Sequence, residues 1–417
     1  MLPPVTDRIP ATAPLAGKAF GFGQRFGSGA SLYCANLRHG PTLTQTIRSI
    51  DDSAFKQLLG EADGARAIAI DNESDSLYHF HQKICLIQIA TEAGSSYLLD
   101  PLEGFPIEAL RGLLENPKLT KVFHGADYDI ALLKAKASIG VRNIYDTMIA
   151  AKFLGRTEVG LQATLRDELG LAITKGNQKD DWSARPLSEE QQHYALTDVN
   201  HLLDVVSRQQ SALEEKRRAH WVNEECEALE SLSGLPGKVD PREVFRDVKG
   251  VAALSPRSLA IFRELIACRE LIADELDLPP FRIAVNESLL ALSRSEKDGG
   301  RDVVSSAIRR REFADRFHEA VVRGFEVAEP DLPTLERGRR IELPLSQQRR
   351  VSALKEWRKN ASARIGLELS LVLPQRLIDK IADANPQDRD SLSAIGGLRR
   401  WRVEAFGDEI LKLIRKP

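Results

Sequence analysis

The sequence contains few of the features that mark membrane, secreted or disulfide-stabilised proteins. No apolar run approaches the roughly 18 residues that a membrane-spanning helix needs. The first residues contain no continuous apolar segment, so we expect no secretory signal. The 4 cysteines are scattered, and no two have the spacing of metal ligands, which argues against a disulfide framework and a cysteine-bound zinc ion. We therefore expect a cytoplasmic protein with no membrane contact.

The chain also has little net charge, and the distribution of charge says more than its sum. The formal charge is −2 overall, but residues 51–215 carry about −10 and residues 216–417 carry about +4. An acidic half repels an anionic substrate unless cations intervene. The net charge by itself therefore neither favours nor excludes a nucleic-acid partner.

Short apolar runs with strand character occur in the first half of the chain. The runs RAIAID, KICLIQIA, SSYLLD and KVFHG are separated by polar turns or by helical patterns. Ser188 has the position of a helix N-cap with Gln191 in the first turn, and Gly155 has the position of a C-cap. This mixture predicts an α/β domain over residues 43–215, preceded by a flexible tail over residues 1–42.

Beyond about residue 215 the strand signal ends and only helical patterns follow. Two helical blocks are weakly similar to each other at a spacing of about ninety residues. We expect a helical linker over residues 216–249 and two small helical domains over residues 250–325 and 346–417. A linker rich in proline and arginine, residues 326–345, joins the two domains.

The run RAIAIDNESDS places three acids at the end of an apolar strand. Asp71 and Glu73 would point to the same side, where they repel each other unless a proton or a metal ion separates them. A calcium loop does not fit, because Ser76 and Gln82 stand where such a loop needs glycine and glutamate. A solvated strand end is the simpler interpretation of this fragment alone, and we expect Asp75 to be a solvated surface residue.

Two further acidic motifs follow along the chain. The run VFHGADYDIALL places Asp127 and Asp129 where a strand meets a helix, and HYALTDVNHLL places Tyr194 and Asp198 four residues apart on a helix. Taken singly, the first pair fits a helix N-terminus and the second fits an ordinary structural contact. Neither motif predicts chemistry by itself.

Together, the order and spacing of these motifs resemble the DEDD superfamily of 3′–5′ exonucleases, in its tyrosine-containing subclass. The segments ICLIQIA, YDTMIAAKFLG, LQATLRDELG and DDWSARPLSEEQQHYALTDVNHLL are similar to the ribonuclease D family, and the resemblance covers residues 65–210. It implies a ribonuclease H-like fold, in which helices flank a mixed central sheet. Both helical blocks resemble the HRDC domain, and the second ends in GGLRRWRVEAFGDEILKLI. Two such domains are therefore expected.

The resemblance implies a site for two divalent cations, Mg²⁺ or Mn²⁺, and no organic cofactor. Asp71, Glu73 and Asp198 match the ligands of the ion that activates water. Asp71 would bridge to a second ion, which Asp129 would also hold. Tyr194 matches the residue that orients the attacking water. Of the two aspartates in HGADYD, the second matches the family acid, so the first would cap the helix.

Substrate contacts are implied less directly. His124 could lie near the site or be a packed strand-end histidine. Lys179, Trp182 and Arg185 could contact the terminal nucleotide or simply anchor their loop. The basic runs KRR at 216–218 and RRWR at 399–402 would hold RNA or form solvated helix faces.

The implied activity is release of nucleoside 5′-monophosphates from RNA 3′ ends, such as those of tRNA precursors. A DNA exonuclease used in repair and a catalytically weak RNA-binding adaptor are the alternatives. The presence of all four acids and the tyrosine argues against the adaptor.

Overall fold

A computed structural model describes residues 44–173, 180–235, 237, 239–294, 301–335 and 343–415. The expected tail, residues 1–42, lies outside the described residues. Six strands form one sheet, and their bounds are β1 Thr44–Ile47, β2 Ala67–Ser74, β3 Ile84–Thr91, β4 Ser96–Leu99, β5 Thr120–Phe123 and β6 Ile144–Asp146.

The sheet is mixed, with the strand order β1-β4-β3-β2-β5-β6. Strands β2, β3 and β4 pair in antiparallel fashion, whereas β1 with β4, β2 with β5, and β5 with β6 are parallel. Every residue of β3 is buried. The strand therefore reads as a continuous apolar run, as a strand covered on both faces should. Helices flank this sheet, so the expected α/β arrangement is confirmed.

Eighteen α-helices lie in the described parts of the chain. Their bounds are α1 Ser53–Ala62, α2 Arg111–Leu114, α3 Asp127–Ala137, α4 Thr147–Leu154, α5 Leu161–Leu169, α6 Glu189–Asn200, α7 Leu202–Glu215, α8 Ala219–Leu229, α9 Pro256–Leu276, α10 Pro280–Ile283, α11 Asn286–Ser293, α12 Arg301–Ala307, α13 Ala314–Glu326, α14 Leu345–Ile365, α15 Leu369–Val372, α16 Gln375–Ala384, α17 Arg389–Ser393 and α18 Arg400–Ile414. None of the described helices has both the length and the apolar character needed to cross a membrane.

Local sequence signals set several of these bounds. The Ser188 hydroxyl accepts a hydrogen bond from the Gln191 N–H, and the Gln191 side chain accepts one from the Ser188 N–H. This reciprocal pair satisfies two N–H groups at the start of α6, as predicted. Gly155 ends α4 in the left-handed conformation, with a φ of 83°. Both capping predictions are confirmed.

The second helical domain, α14–α18, shares one apolar core with the α/β domain. The ring of Trp221 in α8 stacks on Trp401 in α18, with ring centroids 4.6 Å apart, and Phe153 of α4 lies edge-on to Trp401 at 5.3 Å. The segment expected as a linker therefore contributes α8 to this shared core. Aromatic rings thus pack the two parts against each other, and such contacts are costly to break.

The basic runs expected on free surfaces lie partly in this interface. Arg218 donates to the carbonyl oxygens of Phe153 and Ile365, and Arg402 pairs with Glu225 at 2.7 Å. Arg399 pairs with the same glutamate at 3.3 Å. Burial of Arg402, which is 5% exposed, is tolerated because its charge is paired. Arg402 therefore does not lie on a solvated face, and Arg218 is held by contacts within the protein, whereas RNA contacts by the exposed residues of the two runs stay a prediction.

The first helical domain has a separate core, formed mainly by α9 and α13. Gly324 of α13 allows the two helices to touch, because a Cβ at that position would lie 2.4 Å from the Cα of Ile261. The domain is thus a folded unit of its own rather than an extension of the shared core.

Candidate active site

Strand β2 presents two acids at its carboxyl end. Asp71 and Glu73 are two residues apart on this strand and therefore share one face. The β2–β3 pairing shifts register directly after Glu73, because Glu73 pairs with Leu86 but Ser74 pairs with Ile84. Such an irregularity ends the ladder and re-aims the chain. The two carboxylates thus stand where the strand leaves the sheet.

Asp75 does not continue this row toward solvent. It is fully buried, and its Oδ1 accepts a hydrogen bond from the Lys83 N–H at 2.6 Å. Its backbone oxygen accepts from the N–H groups of Tyr78 and His79. The expectation of a solvated surface residue is wrong, because Asp75 closes the loop between β2 and β3.

Helix α6 brings a third acid to the same place. Carboxylate oxygens of Asp71, Glu73 and Asp198 all lie within 4.8 Å of one another. Tyr194 lies one helical turn before Asp198, and its phenol donates a hydrogen bond to that carboxylate. Carboxylates distant in sequence therefore converge on one point, and their role as metal ligands, which the resemblance implied, stays a prediction.

Asp129 lies close to this triad, in the first turn of α3. It is 8% exposed and near enough to Asp71 for the Asp71 charge to affect its pKa. Helix α3 begins at Asp127, whose side chain makes no capping hydrogen bond because Ala126 is the N-cap residue. The expected capping role of Asp127 is therefore wrong.

The turn before α3 is held by Asp146, which the sequence analysis did not single out. Its carboxylate accepts hydrogen bonds from the N–H groups of Gly125 and Ala126 and from those of Met148 and Ile149 at the start of α4. Gly125 has a φ of 86°, and a Cβ there would lie 2.9 Å from Met148. An aspartate directly before a helix is a common N-cap, and this pattern could have identified Asp146 from the sequence.

The pKa values show how unfavourable this cluster is when no cation is bound. Burial, together with the charges of Asp71, Asp198, Asp129 and Asp180, raises the pKa of Glu73 to about 10. Burial and the charge of Asp71 raise the pKa of Asp198 to about 8. Burial raises the pKa of Asp71 to about 6 and that of Asp129 well above its usual value.

In the described part of the chain, none of these four carboxylates pairs with a lysine or an arginine. Crowded carboxylates without a counter-charge are the ligand set that hard divalent cations prefer. The residues present therefore fit the implied metal ions.

Three of these acids, Asp71, Glu73 and Asp198, line a cavity of about 960 Å³. The residues along its walls that carry polar groups include Gln162, Arg166, His193 and Thr197. The Arg166 guanidinium is held by Glu158 at 2.8 Å and Asp167 at 2.9 Å. None of these residues was identified from the sequence, because each belongs to a polar helix face that carries no recognisable motif.

His124 lines the same cavity. Its Nδ1 donates to the Thr147 hydroxyl at 2.8 Å, and that hydroxyl donates to the Phe123 carbonyl oxygen at 2.9 Å. Burial lowers the pKa of His124 to about 4, so the ring is neutral near pH 7. His124 is therefore packed at a strand end and also faces the site, so the two interpretations of this residue are compatible.

Of the other three predicted substrate residues, Trp182 and Arg185 do not line the cavity walls. Trp182 is 2% exposed, and its ring centroid lies 6.1 Å from that of Tyr194. Arg185 pairs with the buried Asp100 at 2.7 Å and donates to the Cys85 carbonyl oxygen. These contacts anchor the loop, and substrate binding by either residue stays a prediction. Lys179 lies outside the described residues.

Comparisons with known proteins agree with this geometry. A family model described as 3′–5′ exonuclease matches residues 47–214, and the HRDC domain model matches residues 347–414. Ribonuclease D of Jannaschia sp. (strain CCS1) is 29% identical, over 83% of this chain and 89% of the relative. Ribonuclease D of Bartonella henselae is 27% identical, over 84% of this chain and 85% of the relative.

Solved structures share the fold. Escherichia coli RNase D matches with a TM-score of 0.66 and 23% identity, over 89% of this chain and 99% of that one. The catalytic core of RRP6 from Trypanosoma brucei matches with a TM-score of 0.59 and 22% identity, over 68% of this chain and 80% of that one. The ribonuclease D relatives, together with the exonuclease and HRDC family models, show that the chain belongs to the ribonuclease D family of 3′–5′ exoribonucleases.

Proposed function

We propose that the protein removes nucleotides from the 3′ ends of structured RNA, releasing nucleoside 5′-monophosphates, with Asp71, Glu73, Asp129 and Asp198 holding two divalent cations. The observation that carries this proposal is the convergence of buried carboxylates with raised pKa values, which no cationic side chain among the described residues offsets. Bound divalent ions supply the Lewis acidity that lowers the pKa of the attacking water and neutralises charge on the leaving oxygen.

The side chains around these carboxylates position the reacting groups. The Tyr194 phenol, held by Asp198, can orient a water toward the scissile phosphate. The neutral imidazole of His124 adds no positive charge beside the carboxylates. The cavity volume of about 960 Å³ lies at the upper end of small-ligand sites, roughly 300–1,000 Å³, and is sufficient for the terminal nucleotide of a chain.

The choice of substrate rests on the relatives. Escherichia coli RNase D is described as an exoribonuclease involved in structured RNA processing. We extend this to tRNA precursors, whose unpaired 3′ extensions could enter the cavity while the folded body remains outside. The interface arginines do not serve this binding, since Arg218 and Arg402 are engaged within the protein.

We further propose that residues 250–325 form a second HRDC-like domain. Both helical domains begin with a 21-residue helix, α9 or α14, followed by a 4-residue helix. Arg269 of α9 donates to the Ala284 carbonyl oxygen, and Arg358 of α14 donates to that of Leu373, each 15 residues further along the chain. Equivalent arginines bracing the same turn support a duplicated unit.

A timed digestion tests the proposed activity. The substrate is an RNA with a labelled 5′ end, a stable stem and an unpaired 3′ extension, incubated with Mg²⁺, Mn²⁺ or EDTA. We expect a ladder that shortens one nucleotide at a time from the 3′ end, and no products in EDTA. The matched control is Asp198→Asn, which keeps the side-chain shape and should give no ladder. Internal cleavage, cleavage in EDTA or preference for a matched DNA would contradict the proposal.

A further inference from the structure

The loop over residues 75–83 follows the catalytic strand β2 and leads to β3. This loop contacts the first helical domain. The ring of Phe80 packs against the apolar core of that domain. The guanidinium of Arg282, in α10, lies 4.8 Å from the centre of the Tyr78 ring. The first helical domain therefore docks on the segment that follows Asp71 and Glu73, although it has a core of its own.

Asp277 makes the central polar contacts of this docking. It ends α9 in the left-handed conformation, with a φ of 50°. Its Oδ2 lies 2.8 Å from Nδ1 of His79, and its Oδ1 accepts a hydrogen bond from the His81 N–H at 2.8 Å. One carboxylate from the helical domain thus holds two residues of the loop.

The contacts continue from the loop to the active site. Nε2 of His79 lies 3.2 Å from Oγ of Ser183, whose N–H and hydroxyl both donate to Asp181. Trp182 lies between Asp181 and Ser183 in the sequence, and its buried ring packs beside that of Tyr194. Asp180 of the same segment is close enough to raise the pKa of Glu73.

We propose that Asp277, His79 and Ser183 form a clamp through which the first helical domain positions Tyr194 for catalysis. These three are positioning residues, because none of them lines the cavity that Asp71, Glu73 and Asp198 line. The inference rests on the proposed role of Tyr194. Misplacing a reacting group by about 1 Å can lower a rate by roughly a hundredfold. Loss of the clamp contacts still leaves Trp182 buried beside Tyr194. We therefore expect a smaller loss, of about tenfold in kcat.

The test removes the Asp277 carboxylate without straining its backbone. Glycine adopts a positive φ readily, so Asp277→Gly keeps the end of α9 intact. We expect about a tenfold lower kcat on a short RNA with KM within about twofold, and a smaller loss for Asp277→Asn, which retains an acceptor oxygen. The matched control is Glu275→Ala on the same helix, which loses only its pairing with Arg316 and should keep the parent kcat.

A double-mutant cycle distinguishes a connected clamp from separate defects. If Asp277 and Ser183 act through one chain of contacts, Ser183→Ala should lower kcat by a similar factor, and Asp277→Gly with Ser183→Ala should be no slower than the worse single variant. A parent kcat in Asp277→Gly, or losses that multiply in the double variant, would overturn the clamp. His79→Gln, which removes the central ring, gives a third check if either variant folds poorly.

Failure of the clamp leaves the proposed function standing. In that case Asp198→Asn would be inactive while Asp277→Gly cleaves at the parent rate. Activity in Asp198→Asn would instead contradict the site itself. Mn²⁺ titration of Asp277→Gly should match the parent, because the four acids are unchanged.

Discussion

Replacing Glu73 by glutamine removes one of four converging carboxylates while nearly preserving the side-chain shape. In the folded protein without metal, the pKa of Glu73 is raised to about 10, from an ordinary value of 4.5. A folded-state pKa above the unfolded-state value means that the folded state holds the proton more tightly. Its contribution to stability is therefore fully present below pH 4.5 and is lost progressively as the pH rises toward 10.

The magnitude of this effect follows from the pKa shift. At about pH 7.5, a group with this shift lowers the free energy of unfolding by about 4 kcal/mol relative to its value at low pH, if the group titrates alone. The other three acids share the repulsion, so we expect Glu73→Gln to raise the free energy of unfolding by about 2 kcal/mol in EDTA. The same variant should have lost nearly all its activity, since a neutral amide is a poor ligand for a hard cation.

Urea denaturation of the full chain in EDTA, at several pH values, measures this change. The parent should lose stability as the pH rises from about 5 to about 8. Glu73→Gln should show a flatter dependence. Glu108→Gln is the matched control, because Glu108 is exposed and lies outside the cavity. Added Mg²⁺ should stabilise the parent more than Glu73→Gln. The reasoning is refuted if Glu73→Gln is less stable than the parent in EDTA at pH 8.

Three further changes test other parts of the account. Tyr194→Phe should lower kcat by about tenfold to a hundredfold in single-turnover assays, because the phenol orients water, while Mn²⁺ affinity stays at the parent value; an unchanged kcat would exclude that role. Asp146→Ala should lower the free energy of unfolding by about 3 kcal/mol in urea titrations, because four N–H groups lose their acceptor; a loss below about 0.5 kcal/mol would contradict this reading. Deleting residues 346–417 should lower the melting temperature of the remaining domain and expose Trp221, since the two share one core; an unchanged melting temperature would show that the shared core contributes nothing.

The parts of the fold that depend on local rules could be read from the sequence. Asp71 and Glu73 share a face because a strand alternates sides, and Tyr194 and Asp198 share a face because a helix turns every 3.6 residues. The Ser188 cap follows from hydrogen-bonding chemistry within four residues. The convergence of these motifs came from their resemblance to a family, and no local rule would have supplied it.

Features set by long-range contacts could not be predicted. Asp75 continues the acidic alternation, but the loop folds back so that Lys83 donates to it inside the protein. Arg218 and Arg402 looked like parts of solvated basic clusters, because their partners lie far away in the sequence, with Phe153 65 residues from Arg218 and Glu225 177 residues from Arg402. Asp146 was overlooked for a similar reason, since half of its hydrogen bonds reach back 20 residues or more to the turn before α3.

The central claim is that carboxylates from β2, α3 and α6 together bind a pair of divalent cations. Anomalous diffraction from crystals soaked in Mn²⁺ tests it most directly. We predict two peaks among the carboxylates of Asp71, Glu73, Asp129 and Asp198, and their loss in Asp198→Asn. A map without anomalous density among these four side chains would contradict the claim.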